Sequence, residues 1–186
     1  MNEAHKHCGS DEWRARMRDV ILPWALGDVD LGDDVLEVGP GYGATTDILG
    51  PRVAHLTSVE IDGELAAMLA ERFAQVPSVR IVHGDATKLD EPDGRFTGAV
   101  CFTMMHHVPT AQLQDALLAE VARVLRPGAP LVASDSLRSD VLEAHHVGDT
   151  YNPIDPATLP ERLRAAGFSS AEVRTGDVGW TFLARR

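Results

Sequence analysis

An α/β fold, with a mainly parallel sheet covered by helices on both faces, is the architecture this sequence predicts. Strand-like apolar runs alternate with amphipathic helical stretches through most of the chain, the pattern of βαβ units. The first apolar run, Val35-Leu36-Glu37-Val38, leads straight into Gly39-Pro40-Gly41-Tyr42-Gly43, a strand-to-helix turn. Acidic residues then close the next two runs, Glu60 after the second and Asp85 after the third.

Taken in order, Ser10 or Asp11 caps a first helix with Trp13, Met17, Val20, Ile21 and Trp24 on one face, and Pro23 kinks or ends it. Residues 1–32 are thus expected to form a helical extension packed on a core domain of residues 33–186. After strand one and the glycine turn, a short helix over Ala44 to Leu49 stops at Gly50-Pro51. His55 to Ile61 reads as strand two. Asp62 opens a helix with Leu65, Met68, Leu69 and Phe73 on its inner stripe. Val79 to Val82 is strand three, and Gly98 to Thr103 is strand four. Thr110 caps a helix with Leu113, Leu117, Val121, Val124 and Leu125 inward, ended by Pro127-Gly128. Leu131 to Ser134 is strand five, ending at Asp135. Residues 136–156 lack periodicity. Thr158 to Glu161 has the form of a capping box, with Pro160 inside the helix start. That helix stops at Gly167, and Ala171 to Thr175 and Gly179 to Ala184 are the last strands.

A chain of 186 residues suggests a single domain. No run of about 18 apolar residues is present, and the polar start MNEAHKHCGSDEW has no apolar signal core. The expectation is a cytoplasmic protein with no membrane partner. Cys8 and Cys101 then read as free thiols. With 17 Lys and Arg against 28 Asp and Glu, the formal charge is −11 and no basic block occurs. Phosphate backbones are bound mainly by Lys and Arg. A small-molecule substrate, neutral or cationic, and no nucleic acid, is the expectation that follows.

Ligands of such sheets sit beyond the carboxyl ends of the strands. Gly39 and Gly41 keep side chains out of that space. Glu60, 21 residues after Gly39, is placed to accept from both hydroxyls of a ribose. Asp85 could accept from the exocyclic amine of a base. Together the three strand ends describe a nucleoside pocket. A dinucleotide competes for it, because Gly39, Gly41 and Ala44 also satisfy GxGxxG/A, which would make the chain an NAD(P)-dependent oxidoreductase. Against that stand the short helix after the turn and Glu37, whose carboxylate beneath the loop favours a cation over a diphosphate.

In these motifs the chain resembles the class I, Rossmann-like S-adenosylmethionine-dependent methyltransferases. The matching segments are Glu37 to Gly43, Glu60, Asp85-Ala86, Thr103 to Val108, and Leu125 to Gly128. The resemblance implies a single-domain, three-layer α/β/α fold with a seven-stranded sheet whose last strand is antiparallel. It also implies S-adenosylmethionine as cofactor. Gly39 and Gly41 would let the backbone approach its methionine part, and Glu37 would orient the loop. Glu60 would hold the ribose hydroxyls, and Ile61 would cover an adenine face. Asp85 and the Ala86 amide would bind the adenine edge, and the Thr103 carbonyl would meet the ammonium group.

Methyl transfer from a sulfonium needs an aligned nucleophile and exclusion of water. An alcohol nucleophile also needs a base, for which histidine is suited. His106, His107 and His146 are the catalytic candidates. Trp13, His145, Asp149 and Tyr151 are the expected acceptor-binding residues. The preferred acceptor is a hydroxyl of a sugar or similar metabolite. A non-catalytic methyltransferase-like binding protein is the other reading. No metal is expected. His5, His7 and Cys8 lack a fourth ligand, and Asp135 after strand five has no carboxylate counterpart after strand four. The segment after strand four also lacks the Asn/Asp-Pro-Pro-aromatic stretch of DNA base methyltransferases. Without an inserted cap, the acceptor wall must come from the N-terminal helix, the region after strand five or a second subunit, so a homodimer is a possible arrangement.

Overall fold

The computed structural model describes residues 3–186, with side chains from His5 onward. The apolar runs become β1 (Asp34–Val38), β2 (His55–Glu60), β3 (Val79–His83), β4 (Gly98–Phe102), β5 (Pro130–Ser136), β6 (Ser170–Thr175) and β7 (Gly179–Arg185). They form one sheet in the order β3-β2-β1-β4-β5-β7-β6. All neighbours are parallel except β7, which runs antiparallel to both β5 and β6. Every residue of β4 is buried, as expected for a strand with both faces covered.

Side chains alternate between two cores, because successive Cβ atoms point to opposite faces of a strand. Leu36, Ala99, Cys101 and Leu131 pack on one face with Leu118, Val121, Leu159 and Leu163. The last four come from α5 (Ala111–Val124) and α7 (Leu159–Ala165). Val35, Val100 and Val132 pack on the other face with Met17, Leu22, Ala25 and Leu49. These belong to the N-terminal segment and to α3 (Ala44–Leu49). Residues near the N-terminus therefore cover one face of the sheet.

That segment differs from the expected single helix. It runs as α1 (Asp11–Arg16), a π-helical turn over Met17–Ile21, and α2 (Leu22–Leu26), with Ser10 capping through the Trp13 amide. The wider turn rotates the following residues around the axis. Met17, Leu22 and Ala25 consequently face the core, whereas Val20 is 53% exposed and Trp24 36%. Pro23 follows the π-helical turn directly, and the helix runs through it to Leu26 rather than ending there.

Two further local expectations change. Residues 136–156 contain a short helix, α6 (Asp140–His145), capped by the Ser139 hydroxyl. Asp155, not Thr158, caps the entry to α7. Its carboxylate accepts from the Ala157 amide at 2.9 Å, and a 3-10 turn over Pro156–Thr158 runs into the helix. The remaining helix, α4 (Gly63–Arg72), is capped by Asp62 as expected. No helix among the described residues is long and apolar enough to cross a membrane.

Candidate functional site

The order of strands in the chain reverses between β1 and β4, and the carboxyl ends of two diverging strands leave a crevice there. A cavity of about 390 Å³ fills it. All eight residues expected to meet the cofactor line this cavity, namely Glu37, Gly39, Gly41, Glu60, Ile61, Asp85, Ala86 and Thr103.

The glycine turn leaves β1 with Gly39 at φ 66° and Gly41 at φ 55°, values that disfavour any residue with a Cβ. A Cβ on Gly39 would lie 2.8 Å from Met104 Cγ, whereas one on Gly41 would meet no protein atom within 4 Å. The space beside Gly41 therefore belongs to the cavity. Glu60 is buried, and its carboxylate accepts from the Gly41 amide at 2.9 Å and the Asp62 amide at 3.0 Å. One side chain thus fixes the turn after β1 and the start of α4, and it borders the cavity. Arg72 holds the turn from outside by donating to the Tyr42 carbonyl at 2.8 Å.

Glu37 lies beneath this loop, only 2% exposed. Its Oε2 accepts from the Thr46 hydroxyl at 2.7 Å and the Ser58 hydroxyl at 2.5 Å, while Oε1 is buried without a hydrogen-bond partner. Burial dominates these hydrogen bonds and pushes its carboxyl up to about 7. A buried acceptor without a donor, beside a cavity, suits a cationic ligand.

After β3, Asp85 Oδ1 accepts from the amide and hydroxyl of Thr87, both at 2.8 Å, leaving Oδ2 for a ligand. Ile61 borders the cavity while 66% exposed. Thr103 takes φ 53° at the end of β4, a left-handed conformation unusual for a β-branched side chain. Its amide donates to the Ser134 carbonyl at 2.8 Å, which anchors the turn. Strain of this kind costs about 1–3 kcal/mol, and a glycine loses about 0.5–1 kcal/mol in chain entropy. Thr103→Gly is accordingly expected to stabilise the fold by about 1 kcal/mol in urea denaturation. A destabilised variant would show that the threonine side chain contributes more than its strain costs.

Histidines gather at the other end of the cavity. A 3-10 turn over Met105–His107 follows β4 and carries two histidines whose ring centroids lie 4.2 Å apart. His106 turns inward, its Nδ1 2.7 Å from Asp135 Oδ1, and its amide donates to Asp135 Oδ2 at 3.0 Å. Since a carboxylate only accepts, Nδ1 carries the proton. His107 lines the cavity, and its Nδ1 is buried without a partner. Burial, reinforced by the surrounding histidines, lowers its pKa to about 3, so the ring is neutral.

His146 caps α6 and is buried, with Nδ1 2.6 Å from the Leu142 carbonyl. Tyr151 stacks on its ring at 4.5 Å. Neither His146 nor Tyr151 lines the cavity, and His145 is exposed on the outer side of α6. Trp13, Asp149 and Thr150 do line it. Sequence reasoning grouped His5 with His7 and Cys8. In the structure His5 instead sits 4.7 Å, ring to ring, from both His107 and His146, while His7 packs on the edge of Trp13. No spacing signals a meeting of residues 141 positions apart. Met17 and Leu113 also border the cavity without having been expected there.

Comparison with known proteins agrees with this geometry. The profile of a methyltransferase-domain family matches residues 35–128, half of the chain. Two curated relatives are ribosomal RNA small subunit methyltransferases A. The one from Geobacter metallireducens is 42% identical over 79 residues, covering 42% of this chain and 26% of the relative. The one from Synechococcus is 36% identical over 112 residues, covering 58% of this chain and 40% of the relative. The chain thus spans between a quarter and two-fifths of the length of these relatives. A crystal structure of a SAM-dependent methyltransferase from Archaeoglobus fulgidus superposes with TM-score 0.75 at 17% identity, over 98% of this chain and 97% of that one.

The named relatives overturn one expectation. Nucleic acid was excluded as a partner on net charge, yet the curated relatives are named for methylating ribosomal RNA. Net charge is a sum over the surface and does not fix the potential at one face, so it could not carry that exclusion. With the crevice at the strand reversal, the strand order and the profile match in agreement, the chain belongs to the methyltransferase-domain family and has the Rossmann-like fold.

Proposed function

We propose that this chain transfers the methyl group of S-adenosylmethionine to an oxygen nucleophile presented at the histidine end of the crevice. The observation behind this reading is a single continuous cavity that runs from Gly39 and Glu60 to His107, Asp149 and Thr150. The nucleoside occupies the strand ends, and the sulfonium methyl points toward the histidines. A cavity of about 390 Å³ is at the small end for ligand sites. Most of it goes to the cofactor, so the acceptor inserts only its reacting end, such as a sugar hydroxyl.

In the transfer, the new C–O bond forms as the C–S bond breaks. The electron pair stays on sulfur as a neutral thioether, and the hydroxyl proton leaves to a base. His107 borders this space, but the burial that lowers its pKa to about 3 makes it a weak base. The proton therefore passes on to the rest of the histidine cluster, where His106, oriented by Asp135, stands with its ring centroid 4.2 Å from that of His107. The wall formed by His5, Cys8 and Trp13 keeps water from the methyl group.

A second reading has RNA as the acceptor, and the relatives named for ribosomal RNA methylation favour it. Incubation with S-adenosylmethionine labelled in the methyl group, small-subunit ribosomal RNA and a pool of hydroxylated metabolites separates the two. Label in the low-mass fraction supports the first reading, and label in RNA the second. The cofactor assignment has its own check. Ligand at 100 times its dissociation constant stabilises a fold by about 2.7 kcal/mol. S-adenosylhomocysteine is expected to raise the thermal midpoint accordingly, and NAD to leave it unchanged. The reverse result would make the crevice a dinucleotide site.

A further inference from the structure

The histidine cluster has a feature that methyl transfer does not require. His146 Nδ1 lies 2.6 Å from the Leu142 carbonyl, which can only accept, so Nδ1 is the protonated nitrogen. His5 Nδ1 faces the Asp149 carboxylate at 3.4 Å, which likewise favours a proton on Nδ1. In neutral rings this leaves both Nε2 atoms with lone pairs, and those two atoms are 3.2 Å apart. Two lone pairs at that distance repel unless a cation lies between them.

The distance suits a metal. Zinc binds histidine nitrogen at about 2.0–2.1 Å, so two nitrogens on a tetrahedral ion lie about 3.3 Å apart. Metal-bound histidines commonly donate the other ring N–H to a carboxylate or a backbone carbonyl, the partners found here. His107 offers a third nitrogen. The candidate ligand atoms of His5, His107 and His146 all lie within 4.8 Å of one another, and His107 Nδ1 has no other partner. His5 and His107 line the cavity, so a three-histidine ion would have its fourth position toward the acceptor.

We propose that His5, His107 and His146 together hold one divalent transition-metal ion, zinc by geometry, with its open coordination position facing the crevice. Three neutral histidines leave the ion its full positive charge. A hydroxyl or thiol of the acceptor bound at the open position loses its proton more readily, and the anion faces the sulfonium methyl. That role rests on the proposed methyltransferase function, whereas binding of the ion does not.

The test is zinc uptake by the full chain after stripping with chelator. Elemental analysis gives the stoichiometry, and competition with a chromophoric chelator gives the affinity. S-adenosylhomocysteine binding is measured on the same samples. One zinc per chain is expected. His5→Ala, His107→Ala and His146→Ala should each weaken zinc binding beyond the about 10–100-fold that follows loss of an outer-shell partner. Asp149→Asn should fall within that range. His55→Ala, at the opposite end of β2, should keep wild-type affinity. Retained cofactor binding shows that a variant is folded. No uptake by wild type at excess zinc, or unchanged affinity in the three alanine variants, overturns the metal site and leaves a proton shared by His5 and His146. Failure of wild type to bind S-adenosylhomocysteine would overturn the methyltransferase reading alone.

Discussion

Replacing Glu60 by alanine is expected to weaken S-adenosylhomocysteine binding by about two to three orders of magnitude. Glu60 is nearly inaccessible and accepts from the Gly41 and Asp62 amides, so it fixes the two backbone segments where the proposed function seats the ribose. Hydrogen bonds to a charged group contribute about 1.5–3 kcal/mol each, and about 1.4 kcal/mol is a factor of ten in affinity. Alanine removes the acceptor for the ribose hydroxyls and also leaves two amides without their partner. Glu60→Gln should fall between the two. Its oxygen still satisfies one amide, but its NH₂ group faces the other donor. Titration calorimetry measures both variants, and wild-type affinity in each would remove Glu60 from the binding site.

Glu37 should make the protein less stable as pH rises. Its folded-state pKa is raised to about 7 by burial, from an ordinary 4.5. A raised pKa means that the folded form holds the proton more tightly than the unfolded one. The resulting stabilisation is complete below the unfolded pKa and is lost as pH climbs through the folded pKa. Over that window the shift corresponds to about 3 kcal/mol. Glu37→Gln keeps an oxygen for the Thr46 and Ser58 hydroxyls and has no proton to lose. Urea denaturation at pH 5 and pH 8 gives the comparison. The variant should gain stability relative to wild type by about 3 kcal/mol between the two pH values. A constant difference would mean that Glu37 is charged throughout. The common titration of the other carboxylates cancels in this comparison.

That Gly39, Gly41, Glu60 and Asp85 would line one cavity was legible because each of these features is local in sequence. The glycine turn, Glu60 and Asp85 each sit at the end of a strand that the hydrophobic pattern identifies, and parallel strands bring those ends to one side of the sheet. The acceptor half was not legible in the same way. His106 and His107 are neighbours in sequence, yet one is held by Asp135 and the other lines the cavity. On the N-terminal helix Trp13, Met17 and Ile21 pack on the core as expected, but Val20 and Trp24 do not, because the π-helical turn at Met17–Ile21 departs from the 3.6-residue period on which that reading depended.

The sequence alone determined a mainly parallel α/β sheet with three strand tips meeting at one cavity, because strand periodicity, turn chemistry and chain order are properties of short segments. Only the tertiary structure decided that His5, in a 3-10 turn near the N-terminus, would meet His107 after β4 and His146 after α6. Contacts across such separations depend on how whole elements pack over the sheet, and no periodicity in the chain encodes which side chains then face one another.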